Sequence, residues 1–257
     1  MKPVGRVSLE TVEGCLVKSK KDLPFQYILI ITAIEAERDA IVRGLLKALP
    51  NEVCGEVEGP LRRVGRCIVV AGGVGPASAA ASTALAIAGG PSLRYVISAG
   101  IGGGFPGAAP IGSVVVASEI VAADLGAETA QGFASVDELG FGSWRVPVDR
   151  ARAEELAAAL RAGGLEATAA PVLTLSTVTG SAETAAELLR RVPGAAAEAM
   201  EGYGVATAAS MQGIEAMEIR AISNAVGPRD RDAWRIGDAL AALERTGMIL
   251  PEVLDIR

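Results

Sequence analysis

Histidine is absent from all 257 residues. That absence removes Ser-His-Asp triads, Cys-His dyads and His-ligated zinc from consideration. Acid–base chemistry must fall to Asp, Glu, Lys, Tyr or Cys. Cysteine is scarce: Cys15, Cys54 and Cys67 form an odd set with no C-x-x-C spacing. The count fits a reducing compartment, argues against a disulfide framework or metal cluster, and leaves the thiols as small buried apolar groups. Aromatic residues make up only 4%, against 50% apolar overall. A core must therefore be built mainly from Ala, Val, Ile and Leu, and disorder is excluded for most of the chain. Basic residues number 24 against 30 acidic ones, a net charge of −6. Such a chain lacks the electrostatic footprint of a nucleic-acid binder.

Membrane and export signals are also missing. The first 26 residues carry Lys2, Arg6, Lys18, Lys20 and Lys21 but no uninterrupted apolar stretch of the kind a secretory signal needs. Two stretches without charge, Cys67 to Leu93 and Tyr95 to Ser118, exceed the ~20 residues of a membrane helix. Both are broken by Gly and Pro and read as strand, turn and helix of a buried core. A cytoplasmic protein is expected. Residues 1–26 read as an appended N-terminal arm and residues 27–257 as one catalytic-size domain, since α/β units commonly run past 200 residues.

The pattern along the chain alternates. Tyr27 to Thr32 is a β-branched run typical of a strand buried on both faces. Ala33 to Leu49 has helical spacing, with Ile34, Ile41, Leu45 and Leu49 on one side. Arg66 to Ala71 reads as a strand running into Gly72-Gly73-Val74-Gly75-Pro76 and an Ala-rich helix to about Ala88, with Pro76 near the helix start, where a missing N–H costs little. Further strands are expected over Arg94 to Ala99, ending in the glycine turn Gly100 to Gly104, and over Val114 to Ser118, Val172 to Thr177, Ala195 to Met200 and Glu218 to Ser223. Helices are expected over Ala151 to Ala162, Ala182 to Arg191, Gly204 to Met211 and Asp232 to Arg245. Strands alternating with helices predict an α/β fold, a mostly parallel or mixed sheet with helices on both faces.

In open α/β sheets ligands bind beyond the carboxyl ends of the strands. The segments there are Ala33 to Glu37, Gly73 to Pro76, Gly100 to Gly104 and Asn224 to Asp230, with Glu201 just past another strand. A dinucleotide reading fails: Gly73-x-Gly75 has Ser at position 78 in place of the third glycine, and the fingerprint belongs on the first strand. Ile30-Ile31-Thr32-Ala33-Ile34-Glu35-Ala36-Glu37 resembles the opening strand and helix of purine nucleosidases of the nucleoside phosphorylase superfamily. Ile97-Ser98-Ala99-Gly100-Ile101-Gly102-Gly103 resembles that family's glycine turn, Ala199-Met200-Glu201-Gly202 its ribose motif, and Arg220-Ala221-Ile222-Ser223-Asn224 its base-recognition strand. Together these cover about residues 27 to 250. Ala122 to Thr129 continuing to Asp137 to Gly142, and Ser223 to Arg231, resemble the futalosine hydrolases of menaquinone biosynthesis within that superfamily.

The resemblance implies a three-layer α/β/α fold with a central mixed sheet, a homodimer, a nucleoside and water as the reacting partners, and no metal or organic cofactor. Glu37 matches the base that activates water, with Glu35 at the surface or supporting it. Glu201 matches the carboxylate that accepts hydrogen bonds from two ribose hydroxyls, Met200 the thioether packed on the ribose, and Arg220 an arginine near the attacking water. Gly100 and Ile101 belong to the matched glycine turn. Thr179-Gly180-Ser181 resembles the backbone that meets the base edge. Adenine-directed nucleosidases of the superfamily carry Asp where this chain has Asn224. An amide offers one donor and one acceptor, which suit the O6 and N7 of a 6-oxopurine such as hypoxanthine. Neither glycine loop contains an arginine to hold a phosphate dianion, which favours water as acceptor. Residues 132–142 hold two of the four Phe in a polar loop, either a cover for the substrate's non-base end or a packed surface loop or subunit contact. The rival readings are a 5′-methylthioadenosine/S-adenosylhomocysteine nucleosidase, a purine nucleoside phosphorylase and a non-enzymatic nucleoside-binding module.

Overall fold

The computed structural model describes residues 26–52, 54–56 and 59–256. The N-terminal arm, apart from Gln26, and Cys15 lie outside the described residues. Strand β1 (Tyr27–Thr32) leads into α1 (Glu35–Ala48), then β2 (Cys54–Glu56), β3 (Leu61–Val64) and β4 (Cys67–Ala71). Helix α2 (Pro76–Gly89) precedes β5 (Leu93–Gly104) and β6 (Val114–Ala122). A hairpin of β7 (Gly126–Thr129) and β8 (Gly132–Ser135) and the short β9 (Arg145–Val146) come next. They are followed by α3 (Arg150–Ala162), β10 (Ala167–Thr174), α4 (Ala182–Arg191), β11 (Ala197–Ala199) and α5 (Gly202–Ser210). The chain closes with β12 (Glu215–Ala225), a single 3₁₀ turn at Arg231–Ala233 and α6 (Ile236–Val253).

The β-branched run of β1 is apolar throughout because both its faces are covered. Ile28 and Ile30 point into one core with Ile41 and Leu45 of α1, Leu156 and Leu160 of α3 and Leu243 and Leu250 of α6. Leu29 and Ile31 point into the other, with Ala79 of α2 and Val205 and Ala209 of α5. Alternate side chains of one strand thus serve two helical layers, the expected three-layer α/β/α arrangement. Cys67 is buried in the first of these cores.

Strand order in the main sheet is β11-β10-β6-β12-β5-β1-β4-β3-β2, with β9 beside β6. Along that order most adjacent strands are parallel, but β6 runs antiparallel to β12 and to β9, and β3 to both β2 and β4, so the sheet is mixed. Strand β11 also pairs antiparallel with the end of β5, Ala197 opposite Gly104 and Glu198 opposite Gly103. Strands β5, β12, β6, β10 and β11 therefore close into a ring, and the ends of β5, β11 and β12 border one hollow.

Several expected boundaries move. The glycine turn at 100–104 is strand: β5 continues through Gly104 and pairs with Arg220 to Ala225 of β12. Glycines there leave room for close neighbours rather than turn the chain. The helix expected over Asp232 to Arg245 begins at Ile236 and ends at Val253, with Pro251 in its last turn. The β2–β3 and β7–β8 hairpins had no counterpart in the sequence reading. Among the described residues no helix is long and apolar enough to cross a membrane.

Candidate active site

At the carboxyl ends of the strands lies a cavity of about 390 Å³, within the ~300–1,000 Å³ usual for small-molecule pockets. Glu37, Ile101, Met200, Glu201 and Asn224 all line it, so segments more than a hundred residues apart meet there.

Glu37 arrives through the β1–α1 junction. The chain leaves β1 at Thr32, and α1 opens with Ile34 at its cap, a residue with no side-chain oxygen to bind the exposed N–H groups. Glu37, in the first turn, folds back instead: Oε2 accepts from Ala33 N at 2.9 Å and Ile34 N at 3.2 Å. Oε1 accepts from Ile101 N, across the sheet on β5, at 2.8 Å. The carboxylate is 3% exposed. Burial pushes it above the ordinary carboxylate value, against the pull of the Ile101 N–H, the Arg220 charge and the Ile34 N–H; the nearby Glu201 charge adds to the rise. Glu35 is exposed and pairs with Arg38 at 3.4 Å, as expected of a surface residue.

Glu201 sits where β11 ends and α5 begins. Its Oε1 accepts from Gly75 N at 3.1 Å, in the loop after β4, and its Oε2 lies 3.2 Å from Arg220 Nη1. All three nitrogens of Arg220 are engaged by neighbours. Nε donates to Glu218 Oε1 at 2.8 Å and Nη2 to Ser98 Oγ at 2.7 Å. Burial works against the Arg220 cation, but Glu218 and Glu201 outweigh it and hold it charged; Glu37 adds to the effect. Glu218 lies wholly buried behind, with its own carboxyl raised by that burial.

Asn224 stands near the end of β12. Between Ile222 and Asn224 the register against β5 slips by one residue, a bulge that re-aims the strand's end. Its Oδ1 accepts from Ser223 Oγ at 2.8 Å and its Nδ2 donates to Ala225 O at 3.0 Å. One amide hydrogen and one lone pair remain for a ligand.

Three assigned residues fall elsewhere. Arg220 does not line the cavity; it is 1% exposed and lies behind Glu201, bound to the carboxylates of Glu201 and Glu218. Gly100 is likewise behind the wall, where a Cβ would stand 2.7 Å from Arg220 Nη1 and 2.9 Å from Glu37 Oε1. Gly180 is exposed outside the cavity, and Val178 and Thr179 line it instead. The 132–142 loop contributes nothing to the lining of its own chain's cavity. Phe133 packs on Trp144 with centroids 5.9 Å apart and lies 4.1 Å below the Arg191 guanidinium, while Phe141 is 81% exposed.

Other residues line the cavity too. Arg229, inside the Asn224–Asp230 segment marked from the sequence, stacks at 5.5 Å on Trp234, which was missed; both come from the loop after β12. Glu198 comes from β11, where a charge in the middle of Ala195-Ala196-Ala197-Glu198-Ala199-Met200, on the same strand face as Met200, was the available signal.

A mixed α/β sheet with two anchored carboxylates and an amide at its strand ends forms a site for a small polar molecule. The chain belongs to the phosphorylase superfamily, whose family model matches residues 27–253. A futalosine hydrolase of Streptomyces coelicolor is 51% identical over 235 residues, 88% of this chain and 95% of that one. One from Acidothermus cellulolyticus is 45% identical, covering 84% and 86%. The fold also matches solved structures. A 5′-methylthioadenosine/S-adenosylhomocysteine nucleosidase from Neisseria meningitidis has a TM-score of 0.71 at 22% identity, covering 90% of this chain and 99% of that one. The futalosine hydrolase of Helicobacter pylori has a TM-score of 0.71 at 18%, covering 90% and 97%.

Proposed function

We propose that this chain hydrolyses the N-glycosidic bond of futalosine and releases hypoxanthine, a step of menaquinone biosynthesis. The observation that carries the activity is the 51% identity to a futalosine hydrolase along nearly the whole of both chains. The meeting of Glu37, Glu201 and Asn224 in one cavity supports the chemistry.

Glu37 is the general base. Its two oxygens offer about four lone-pair sites, and three are taken by Ala33, Ile34 and Ile101. The remaining one, on Oε1, takes a proton from water. The water oxygen bonds to the ribose C1′ as the C1′–N9 bond breaks, and the bond's electron pair leaves with the purine. Glu201, held between Gly75 and Arg220, accepts from the ribose hydroxyls, and Met200 packs against the sugar. The Asn224 NH₂ donates to O6 and its carbonyl accepts at N7 as that nitrogen gains a proton from solvent. Preorganised partners aimed at developing charge are the usual source of such catalysis.

Water rather than phosphate is the acceptor. Arg220 is committed to Glu218, Glu201 and Ser98. Arg229 is the one basic residue lining the cavity among the described residues, and it stacks on Trp234. Neither glycine loop supplies a cation for a dianion. The catalytic unit is taken as residues 27–257, with residues 1–26 as an arm outside it, in the cytoplasm. A second copy of the chain is the partner. Helix α2 carries no charge and exposes Ala77, Ala81, Ala84, Leu85 and Ala88, a face suited to self-association. Light scattering after gel filtration checks the dimer.

The decisive assay incubates the purified protein with futalosine, with and without phosphate, and identifies the liberated base. Hypoxanthine released at equal rates in both is expected. Strict dependence on phosphate would make the chain a phosphorylase, and faster release of adenine from methylthioadenosine would make it the rival nucleosidase.

A further inference from the structure

One buried carboxylate lines the cavity yet has no task in the chemistry above. Glu198 is 4% exposed. Both its oxygens are met by a single residue: Thr179 N donates to Oε1 at 3.0 Å and Thr179 Oγ1 to Oε2 at 2.5 Å. Among the described residues no Lys or Arg pairs with it, and the only influences on its acidity are burial, which raises it, and the two Thr179 bonds, which lower it. An ionised carboxylate buried without a cation is unfavourable unless further donors reach it. Each oxygen keeps a lone pair that Thr179 does not use.

Position supplies the donor. Glu198 and Asn224 border the same bare residue: a Cβ on Gly103 would stand 3.3 Å from Asn224 Nδ2 and 3.5 Å from Glu198 Cγ. A purine whose N7 and O6 face Asn224 turns N1, the next atom round its six-membered ring, toward the neighbouring group. In a 6-oxopurine N1 carries a hydrogen; in a 6-aminopurine it carries a lone pair. We infer that Glu198 is a second base-reading residue, accepting the N1–H of a 6-oxopurine and turning away 6-aminopurines, whose N1 would face an anion. The inference rests on the reading of the substrate as a purine nucleoside, and extends it by a group on a different strand from Asn224.

Calorimetric binding of hypoxanthine, 1-methylhypoxanthine and adenine to the wild type, Glu198→Gln and Glu198→Ala tests it. The wild type is expected to bind hypoxanthine about tenfold or more tightly than either other base. Glu198→Gln, of the same shape but able to donate, should close the gap between hypoxanthine and adenine by about tenfold or more, with hypoxanthine weakened and adenine improved. Glu198→Ala should bind hypoxanthine and 1-methylhypoxanthine nearly alike. An unchanged order of the three bases in folded Glu198→Gln, or a wild type that binds them equally or not at all, overturns the proposal. The two readings fail separately. A wild type that leaves futalosine intact but shows this binding order sinks the substrate and spares Glu198. Cleavage of futalosine with an unaltered order in the variants does the reverse.

Discussion

At the scale of single residues, Glu37 combines two tasks in one carboxylate. It accepts from the Ala33 and Ile34 N–H groups just ahead of α1 and from Ile101 N, and so anchored it lines the cavity. Glu37→Gln should lower kcat by about 10²–10⁴-fold with KM nearly constant, the usual worth of a positioned base; steady-state kinetics on futalosine checks this, and near-normal turnover would remove the assigned role. Because burial raises the carboxyl and only its ionised form accepts a proton, the acid limb of the kcat profile should lie above the ordinary carboxylate value. At the opposite end of the substrate, Asn224→Asp should move the ratio of 6-oxo to 6-amino cleavage toward 6-amino by about tenfold, the worth of one exchanged hydrogen bond. An unmoved ratio would place base reading elsewhere. Glu37, Met200, Glu201 and Asn224 line the cavity because the segments that follow the strands converge there; topology marked those segments, and the resemblance singled out the residues. Arg220 was legible as a participant but not in its place: a strand pattern shows which face a side chain takes, not whether two carboxylates stand between it and the cavity. Glu198 and Trp234 went unread because their relevance exists only once β11, β12 and the loop after β12 converge.

At the scale of elements, β5 shows why glycine misled. Gly100 to Gly104 reads as a strand exit, since glycine is the commonest turn residue. Here it is strand because the groups packed on it leave no space for side chains. Gly100→Ala keeps an acceptable backbone but drives a methyl between Arg220 and Glu37. Displacement of Glu37 by a fraction of an ångström to an ångström should cost up to about 10²-fold in kcat, with the melting temperature changing much less; unchanged kcat would mean that the carboxylate's position is not critical. A second close approach joins α1 to α6, where a Cβ on Gly44 would lie 2.0 Å from Glu244 O. Gly44→Ala should destabilise the fold by about 1–3 kcal/mol or more, measured by urea unfolding. The layers, and most helices and strands, were readable from apolar periodicity. The β2–β3 and β7–β8 hairpins were not, because their strands are three or four residues long and, where side chains are described, mostly exposed or half-exposed, which leaves little pattern to detect.

At the scale of the molecule, the buried carboxylates link stability to pH. Glu37, Glu198 and Glu218 are all raised by burial. The unfolded chain loses their protons near the ordinary value while the folded chain still holds them. Their contribution is therefore fully present below that value and is lost as pH rises through the folded values. Glu187 and Glu244, lowered by their Arg and Lys partners, act the other way, only at more acid pH. The melting temperature should rise as pH falls from about 8 to about 5 before it declines; scanning calorimetry across that range checks it, and a flat or opposite trend would mean that the three carboxyls ionise freely in the fold. The ring formed by β5, β12, β6, β10 and β11 bears on selectivity. Asn224 and Glu198 both flank β5 within that closed circuit, so the spacing between them is set by backbone ladders and not by mobile loops. A gap held by such a frame cannot widen for a misfit: if Asn224 and Glu198 read the base as proposed, a mismatched one is penalised and not accommodated by loop movement.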